Sequence, residues 1–453
     1  MNLSKVKSFL IRDNFKRCSV IGMVAIGMAL SGCGGSKSNS SASIRVANST
    51  LTHPSIDLWV SGAVTTATGT ALNSVSSYVS APAGAAALQL NDHGSSTGVA
   101  NVTPTLAGGA HYTLLAYESG ATGGSVVRMA ALPEDWTIPT QAGTTQIRIL
   151  DFATEAGNLD VYVSPTPVAP GGIPAGYVGS INGAVAQAIV QSYGVGTQYV
   201  TVTALANPAD VRMLNMPVAV TSQQVATVAL TPAAGGSLLD GNLLIQLGAF
   251  SNFRNTGTRV RLASAVSGGT TVAATMTNAG VTSPLDGGVA PQFGSYAVVP
   301  NGSTLAVTVG GVSVAAPAGL VPGGDMTLLV FGAPDSATAT LITDDNRPPT
   351  NSGLVKLRLI NGITGNSSNV LKLIANGVAL ATGVAPGTAS AYGSAGINSY
   401  GNVNLSLSSS LNSNLIPPTA ATAFTLNPNT TYTVFAVGDY STGSTAGLSL
   451  MVQ

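Results

Sequence analysis

The chain has 453 residues, only 8% of them are charged, and its 17 basic residues balance 17 acidic ones. So mild a charge argues against a nucleic-acid partner, because such proteins carry clustered positive charge. The 54 glycines and 24 prolines, set among many Thr and Val residues, favour turn-rich β structure.

The N-terminus has the parts of a secretory signal. Five basic residues precede an apolar run over 20–30, and Leu30-Ser31-Gly32-Cys33 follows. A run of about 11 residues is shorter than the roughly 20 that cross a bilayer as a helix, which favours removal over retention. We therefore predict a signal peptide over 1–32. Its removal leaves 12 basic and 16 acidic residues, a net charge near −4.

The segment ending at Cys33 resembles the lipobox of bacterial lipoproteins, in which the cysteine is lipidated and becomes the mature N-terminus. Several acyl chains would anchor the protein firmly in a membrane. Gly34 stands where an aspartate would resemble an inner-membrane retention signal, so we expect a lipid anchor in the outer membrane, on either face. With a lipid anchor, residues 33–42 are the lipidated cysteine and a flexible tether. The alternative is an ordinary signal followed by a chance cysteine.

Cysteine usage leaves no disulfide in the mature chain. Cys18 leaves with the signal, and Cys33 is the predicted anchor. Each domain must therefore be held by its own hydrophobic core.

An apolar-Arg-apolar pattern recurs at domain-sized steps of 103, 113 and 97 residues. Alternation of this kind is typical of a strand with one buried face, and about 100 residues is the size of a small sandwich. We predict four β-sandwich modules over 43–140, 141–245, 246–350 and 351–453. We expect each arginine on an exposed strand face. The four patterns are Ile44-Arg45-Val46, Ile147-Arg148-Ile149, Val260-Arg261-Leu262 and Leu357-Arg358-Leu359.

Two further landmarks follow each arginine. A tyrosine lies 33, 35 and 34 residues after it at Tyr78, Tyr296 and Tyr392, whereas in module two Tyr199 lies 51 after, beyond an insertion around 165–179. The stretch 184–190 there is predicted to form a short helix or an extra hairpin. Late in each module an apolar strand follows, which we predict to be central in its sheet. These late strands include Tyr112-Thr113-Leu114-Leu115, Ala226-Thr227-Val228-Ala229, Met326-Thr327-Leu328-Leu329 and Tyr432-Thr433-Val434-Phe435.

The junction over 341–349, running into the strand at 355–361, resembles the repeats of bacterial lipoproteins with the domain of unknown function 4397. The looser junction over 132–151 and the Asp160-Val161-Tyr162-Val163 strand fit the same pattern. The resemblance implies an all-β fold of four tandem immunoglobulin-like β-sandwich modules after a lipoprotein signal peptide. It implies no established activity and no catalytic residues.

Catalytic patterns are sparse. The segment over 94–98 matches the spacing of a nucleophile elbow around Ser96, beside Asp92 and His93, but neither flank has the strand or helix that an elbow needs. No phosphate-cradling loop or nucleotide fingerprint occurs, so no cofactor is expected.

Metal sites also find weak support. All three histidines, His53, His93 and His111, fall in module one, yet their spacing is not that of a metal site. Asp344, Asp345 and Asn346 are weak calcium candidates, opposed by the adjacent arginine, and a turn before the following prolines explains them as well.

We therefore expect a non-enzymatic, lipid-anchored envelope protein that serves as a structural or adhesion-type spacer or as an assembly partner. A module that binds carbohydrate or another envelope ligand through Trp59 and Trp136 is the alternative, since amphipathic rings stack on sugars. A hydrolase is the remote third possibility. The oligomeric state does not follow from the sequence.

Overall fold

The structure is a computed structural model that describes residues 40–120, 126–169, 172–181, 188–351, 353–365, 368, 370–398, 401–410, 422–441 and 449–452. In these ranges the chain forms 37 strands and one 3-10 turn, Thr154–Ala156. The predicted all-β fold is confirmed. No helix of the described ranges is long and apolar enough to span a membrane.

Sheet pair 1 consists of two facing sheets. Its strands are β1 (Ser41–Ser49), β2 (Ser55–Val60), β3 (Ala63–Val64), β4 (Thr70–Ala71), β5 (Val79–Pro82), β6 (Gly84–Ala85), β7 (Leu88–Asp92), β8 (Gly98–Val102), β9 (Thr105–Leu106), β10 (His111–Ser119) and β11 (Val126–Pro133). One sheet has the order β11-β10-β1-β5 and the other β3-β2-β7-β8, with β4 also on β2 and a small β6-β9 ladder beside them. β1 runs parallel to β10 and antiparallel to β5.

Sheet pair 2 repeats this plan with longer strands. Its strands are β12 (Thr144–Asp151), β13 (Leu159–Ser164), β14 (Tyr177–Ile181), β15 (Ala188–Gly194), β16 (Gly196–Ala204), β17 (Asn207–Val220), β18 (Val225–Pro232), β19 (Leu239–Ile245) and β20 (Phe250–Phe253). The sheet orders are β15-β12-β18-β19-β20 and β14-β13-β16-β17. β20 lies beyond the predicted limit at 245, because a short turn returns it onto β19.

Sheet pair 3 has the same central parallel pairing, here of β21 with β28. Its strands are β21 (Thr258–Val266), β22 (Thr271–Asn278), β23 (Val281–Val289), β24 (Gln292–Phe293), β25 (Ala297–Val299), β26 (Thr304–Val309), β27 (Val312–Val314), β28 (Asp325–Gly332) and β29 (Thr338–Asp344). The sheet orders are β24-β21-β28-β29, with β25 also on β21, and β23-β22-β26-β27.

Sheet pair 4 pairs β30 with β36 in the same way. Its strands are β30 (Leu354–Thr364), β31 (Leu371–Ala375), β32 (Val378–Val384), β33 (Gly393–Gly396), β34 (Asn402–Ser409), β35 (Thr422–Thr425), β36 (Thr431–Asp439) and β37 (Ser449–Val452). The sheet orders are β33-β30-β36-β37 and β32-β31-β34-β35. The described residues thus hold four sheet pairs, while the exact module limits stay predictions.

A hydrophobic core lies between the two sheets of each pair. In sheet pair 1, Ile44 and Val46 flank Arg45 and point into the core, where they join Leu58 and Leu90. Burying one such aliphatic side chain stabilises a fold by about 1.5–3 kcal/mol. Alternation along β1 therefore directs the arginine to the opposite face of its sheet.

The sheets that carry the recurring arginines, here called the arginine sheets, pack on each other in two couples. Pair 1 meets pair 2 through a cluster that includes Leu115 and Ala229, and pair 3 meets pair 4 through one that includes Leu329 and Phe435. These four residues hold the same register position in their pairs. Each couple is therefore joined by equivalent faces, as in the self-complementary interface of a twofold dimer.

The packing of the arginine sheets corrects one prediction. We expected the four arginines on exposed faces, but all four are buried. The alternation rule identified the face correctly, and a neighbouring sheet covers that face.

The tyrosine landmark marks the strand position opposite the arginine. Ile44 pairs with Val79, which places Tyr78 across from Arg45, and the same register holds in sheet pairs 3 and 4. In sheet pair 2 the residue opposite Arg148 is Val190. The predicted counterpart Tyr199 was wrong, because it lies on β16 in the other sheet.

The stretch predicted as a short helix or extra hairpin lies partly outside the described residues, which omit 182–187. Its described end, 188–190, starts β15 and pairs with β12. This stretch therefore supplies an arginine-sheet strand equivalent to β5. The late apolar strands were predicted correctly, since β10, β18, β28 and β36 each have a neighbour on both sides.

Candidate functional site

Arg45 lies at the centre of a buried polar cluster between sheet pairs 1 and 2. Its Nε donates to Thr113 Oγ1 at 2.8 Å and to Glu134 Oε1 at 3.0 Å, and its Nη2 donates to Glu134 Oε2 at 2.8 Å. Its Nη1 donates across the interface to the carbonyl oxygen of Gly248 at 2.6 Å. Tyr78 stacks under the guanidinium at 4.9 Å and donates its hydroxyl to Glu134 at 2.9 Å. The cluster joins the two arginine sheets.

Burial and the charge of Glu134 keep Tyr78 protonated as a donor. Burial, followed by the repulsion of the neighbouring Glu134 carboxylate, raises the pKa of Tyr78 above its ordinary value near 10. The phenol therefore remains protonated at neutral pH and donates to the carboxylate.

Asp344 occupies the corresponding position between sheet pairs 3 and 4. It accepts hydrogen bonds from the Tyr296 hydroxyl, from Thr327 Oγ1 at 2.7 Å and from Arg358 Nη2. Arg261 Nε lies 3.7 Å from the same carboxylate. One buried carboxylate therefore serves an arginine from each side of the joint.

The other two residues of the weak calcium candidate also face side chains. Asp345 accepts from Arg347 Nε at 2.7 Å and lies 3.1 Å from Lys356 Nζ. Asn346 donates to Asp325 at 2.6 Å. The described residues contain no group of three or more His, Cys, Asp or Glu that could hold a metal. The carboxylates of Asp344 and Asp345 thus face cationic and hydroxyl groups of the protein.

Sheet pair 2 departs from the pattern. Arg148 is 4% exposed, and its Nη1 donates to Thr227 Oγ1 at 3.1 Å. Its Nε has no hydrogen-bond partner, and no Asp or Glu oxygen of the described residues lies within ion-pair distance of it. Desolvation lowers the pKa of Arg148 to about 10, so the side chain stays charged at neutral pH. This is a buried cation without a carboxylate.

Trp136 covers Arg148. Its ring centre lies 3.6 Å from the guanidinium carbon, while its side chain is largely at the surface and the residue is 39% exposed. The indole Nε1 donates to Pro133 O at 2.8 Å, and Gln246 holds the Trp136 main chain with two hydrogen bonds of 3.0 Å. The predicted ligand-binding residue Trp136 is thus placed beside the unpaired arginine.

Trp59 lies elsewhere, on β2 in the other sheet of pair 1. It is half-buried, pairs with Gln89 across the strands, and has no hydrogen-bond partner for its Nε1. The structure therefore does not bring the two tryptophans together in one site.

The three histidines each face a separate carboxylate. His53 Nδ1 lies 2.5 Å from Asp92, His93 Nδ1 lies 2.8 Å from Asp57, and the third pair joins His111 and Asp135. These distances are those of hydrogen-bonded pairs. The histidines do not converge on one point, as a metal site would need.

Ser96 lies in the turn between β7 and β8, two antiparallel strands of one sheet. A nucleophile elbow needs a helix after the serine, and here a strand follows. Cys33, the predicted lipidation site, lies outside the described residues.

Sequence reasoning missed a polar cleft where sheet pairs 2, 3 and 4 meet. The cleft has a volume of about 320 Å³, and its lining includes Arg212, Arg259 and Tyr296. Asp210 lies 2.8 Å from Arg212 and 3.5 Å from Arg259, so the two guanidiniums share a carboxylate. No repeat pattern marks these residues, because they belong to different sheet pairs.

Three solved structures show a distant likeness to this chain. A candidate cell adhesion protein from Bacteroides uniformis is 12% identical, with 46% of this chain and 99% of that one covered, at a TM-score of 0.17. The TIE protein of Bacillus anthracis is 8% identical, with 89% of this chain and 69% of that one covered, at a TM-score of 0.13. The C-terminal fragment of the pilus adhesin SpaC from Lactobacillus rhamnosus is 11% identical, with 45% of this chain and 98% of that one covered, at a TM-score of 0.10. Scores this low support no argument about function.

No curated protein matches the chain. A family model does match residues 42–162, which span sheet pair 1 and reach into β13. The facing sheets of this region agree with an immunoglobulin-like sandwich, as the resemblance implied. Residues 42–162 thus match the model of DUF4397, a family of domains of unknown function.

Proposed function

We propose that this chain is a non-enzymatic, lipid-anchored protein of the cell envelope that acts as a spacer in adhesion or assembly. The observation that carries the proposal is the mutual burial of the arginine sheets. Four sheet faces that could have been open are used to join neighbouring sheet pairs.

The joints are built to hold a fixed arrangement. Arg45 reaches from sheet pair 1 to Gly248, and Arg261 Nη2 reaches from sheet pair 3 to Thr433 Oγ1 at 2.8 Å. Charged hydrogen bonds of this kind have strict geometry, so they oppose sliding of one sheet pair on another. A stiff joint suits a protein that holds something at a distance from the membrane.

The anchor is the second element of the proposal. Lipidation of Cys33 followed by the tether over 33–42 would attach the sheet pairs to the outer membrane through acyl chains. An anchored spacer can face the periplasm or the outside, and each face implies different partners.

Protease shaving of intact cells tests the anchor and its orientation. Wild-type protein should fractionate with the outer membrane, a Cys33→Ala variant should be released, and the control Cys18→Ala should stay anchored, since Cys18 lies within the signal. Digestion on whole cells would indicate surface display, and protection until the outer membrane is opened would indicate a periplasmic spacer. Retention of the Cys33→Ala variant in the membrane would refute the lipid anchor.

A ligand-binding role is the second candidate. It is favoured by Trp136, which is 39% exposed beside a buried arginine that pairs with no carboxylate in the described ranges. A surface aromatic ring next to a charged donor is a common composition for sugar recognition.

A further inference from the structure

Glu134, Gln246 and Asp344 hold equivalent positions in sheet pairs 1, 2 and 3. Each directly follows the residue of β11, β19 or β29 that pairs with the position before the recurring threonine. In pairs 1 and 3 this position supplies the carboxylate that an arginine binds. In pair 2 it supplies a neutral amide, so no carboxylate of the described residues pairs with Arg148.

Gln246 does not replace the missing interaction. Its amide bonds to the main chain of Trp136, and Arg148 Nε remains without a partner. A buried cation with no counter-ion is costly, and the stacked indole offsets only part of that cost. The site therefore favours an anion from outside the chain.

We propose that Arg148 and Trp136 form a binding site for a carboxylated sugar, in which the guanidinium binds the carboxylate and the indole stacks on the sugar ring. A guanidinium and a carboxylate match in a two-point hydrogen-bonded geometry. The bound carboxylate supplies to Arg148 the charge that Glu134 supplies to Arg45. This site rests on the ligand-binding role proposed above and does not depend on the spacer role.

The indole is also the entrance to the site. Trp136 lies in a segment, 134–140, that forms no strand, and its side chain is held by one hydrogen bond and the stacking contact. Because Arg148 is 4% exposed under the indole, binding requires the indole to tilt while the Gln246 bonds keep the main chain in place. The flat ring then lies against the ligand.

The surrounding charge favours a ligand with a single carboxylate. Asp135 adjoins Trp136, lies 3.0 Å from His111 Nδ1 and has a side chain that is 44% exposed, so it opposes any anion and most strongly a polyanion such as an acidic peptide. A sugar acid carries one negative charge and an otherwise neutral ring. Its apolar ring face suits the exposed indole.

Tryptophan fluorescence tests the proposal directly. The chain has two tryptophans, so a Trp59→Phe background leaves Trp136 as the only reporter. Titration of the full mature chain with glucuronate should give a saturable change, and glucose at the same concentrations should give none. Arg148→Met should weaken glucuronate binding at least tenfold, whereas the control Arg128→Met, at an exposed arginine, should not.

Gln246→Glu supplies the decisive second variant. It places a carboxylate at the position that binds an arginine in sheet pairs 1 and 3, and it gives up the hydrogen bond from Gln246 to Trp136 O, so the variant should lose glucuronate binding. The proposal is overturned if glucuronate gives no saturable change, if glucose binds equally, or if Gln246→Glu folds and still binds. Binding of a glutamate-rich peptide without binding of glucuronate would overturn the sugar class.

Discussion

Arg45 and Thr113 lie opposite each other on two parallel strands, and the arginine Nε donates to the threonine hydroxyl at 2.8 Å. Both side chains lie on the sheet face that points away from the core, and the next arginine sheet covers them there. The pair recurs as Arg148 with Thr227 at 3.1 Å, Arg261 with Thr327 at 2.9 Å, and Arg358 with Thr433 at 3.3 Å. The repeated arginine and the repeated threonine are therefore two halves of one contact.

Removing the Arg45 side chain should destabilise the joint. Arg45→Met leaves Glu134 buried without a counter-charge, which typically costs about 3–5 kcal/mol. Urea unfolding of the mature chain, monitored by circular dichroism, should show a first transition at a lower urea concentration than in the wild type. Glu134→Gln in the Arg45→Met background should recover part of the loss, because the two residues form one pair. A loss below about 0.5 kcal/mol, the level of an exposed pair, would contradict this account.

The fold could be predicted from the sequence where short-range pattern determines it. Alternation around Arg45 identified the strand and the core face, and the repeat spacing identified the recurring plan. Alternation cannot tell what covers the other face, because that depends on contacts between residues such as Leu115 and Ala229, far apart in the chain. The arginines were therefore placed on the correct face and given the wrong exposure.

Phe435 should couple sheet pairs 3 and 4. It is buried in their joint, and its ring centre lies 4.0 Å from that of Phe293. Phe435→Ala should cost about 3–5 kcal/mol, since it leaves a cavity in the joint. Calorimetry should show a shared transition in the wild type and a separated, lower transition in the variant. Phe424→Ala, at a half-buried core position, is the control that should lower stability without separating the transitions.

Apart from Lys37 in the tether, the first site of limited trypsin digestion should be Arg128. In the described part of the chain Arg128 is the one exposed basic residue, because the other arginines and lysines are buried or half-buried. Trypsin needs an accessible extended segment around the basic residue. Gel analysis with mass spectrometry should show an early fragment that begins at Met129 and disappears in Arg128→Gln. An early cut after Arg148 or Arg261 would show that a joint opens readily.

The candidate site could be predicted from the sequence only in part. Trp136 could be named from the sequence because aromatic residues are rare in this chain, but Trp59 had the same claim. Only the strand register shows that Gln246 replaces an acid beside Arg148. Sequence spacing misleads here, because Glu134 precedes Arg148 by the same number of residues as Asp344 precedes Arg358. Glu134 nevertheless does not pair with Arg148, because it binds Arg45 and the Trp136 indole lies over Arg148.

Lys356 should make stability depend on pH. Its ammonium is buried at the start of sheet pair 4, and burial lowers its pKa to about 8 although Asp345 lies 3.1 Å away. In the unfolded chain its pKa is near 10.5. Between these values the unfolded chain binds a proton that the folded chain has lost, so this group makes the free energy of unfolding rise with pH.

Urea unfolding at pH 7, 8, 9 and 9.5 separates this contribution from the rest. The wild type should gain stability relative to Lys356→Met across the series, and the control Lys372→Met should keep the wild-type slope. The series stops below pH 10, because burial raises the pKa of the adjacent Tyr392 to about 12. Above pH 10 the unfolded chain loses the tyrosine proton first, which lowers stability and masks the lysine. Equal slopes for the wild type and Lys356→Met would show that the ammonium stays protonated inside the fold.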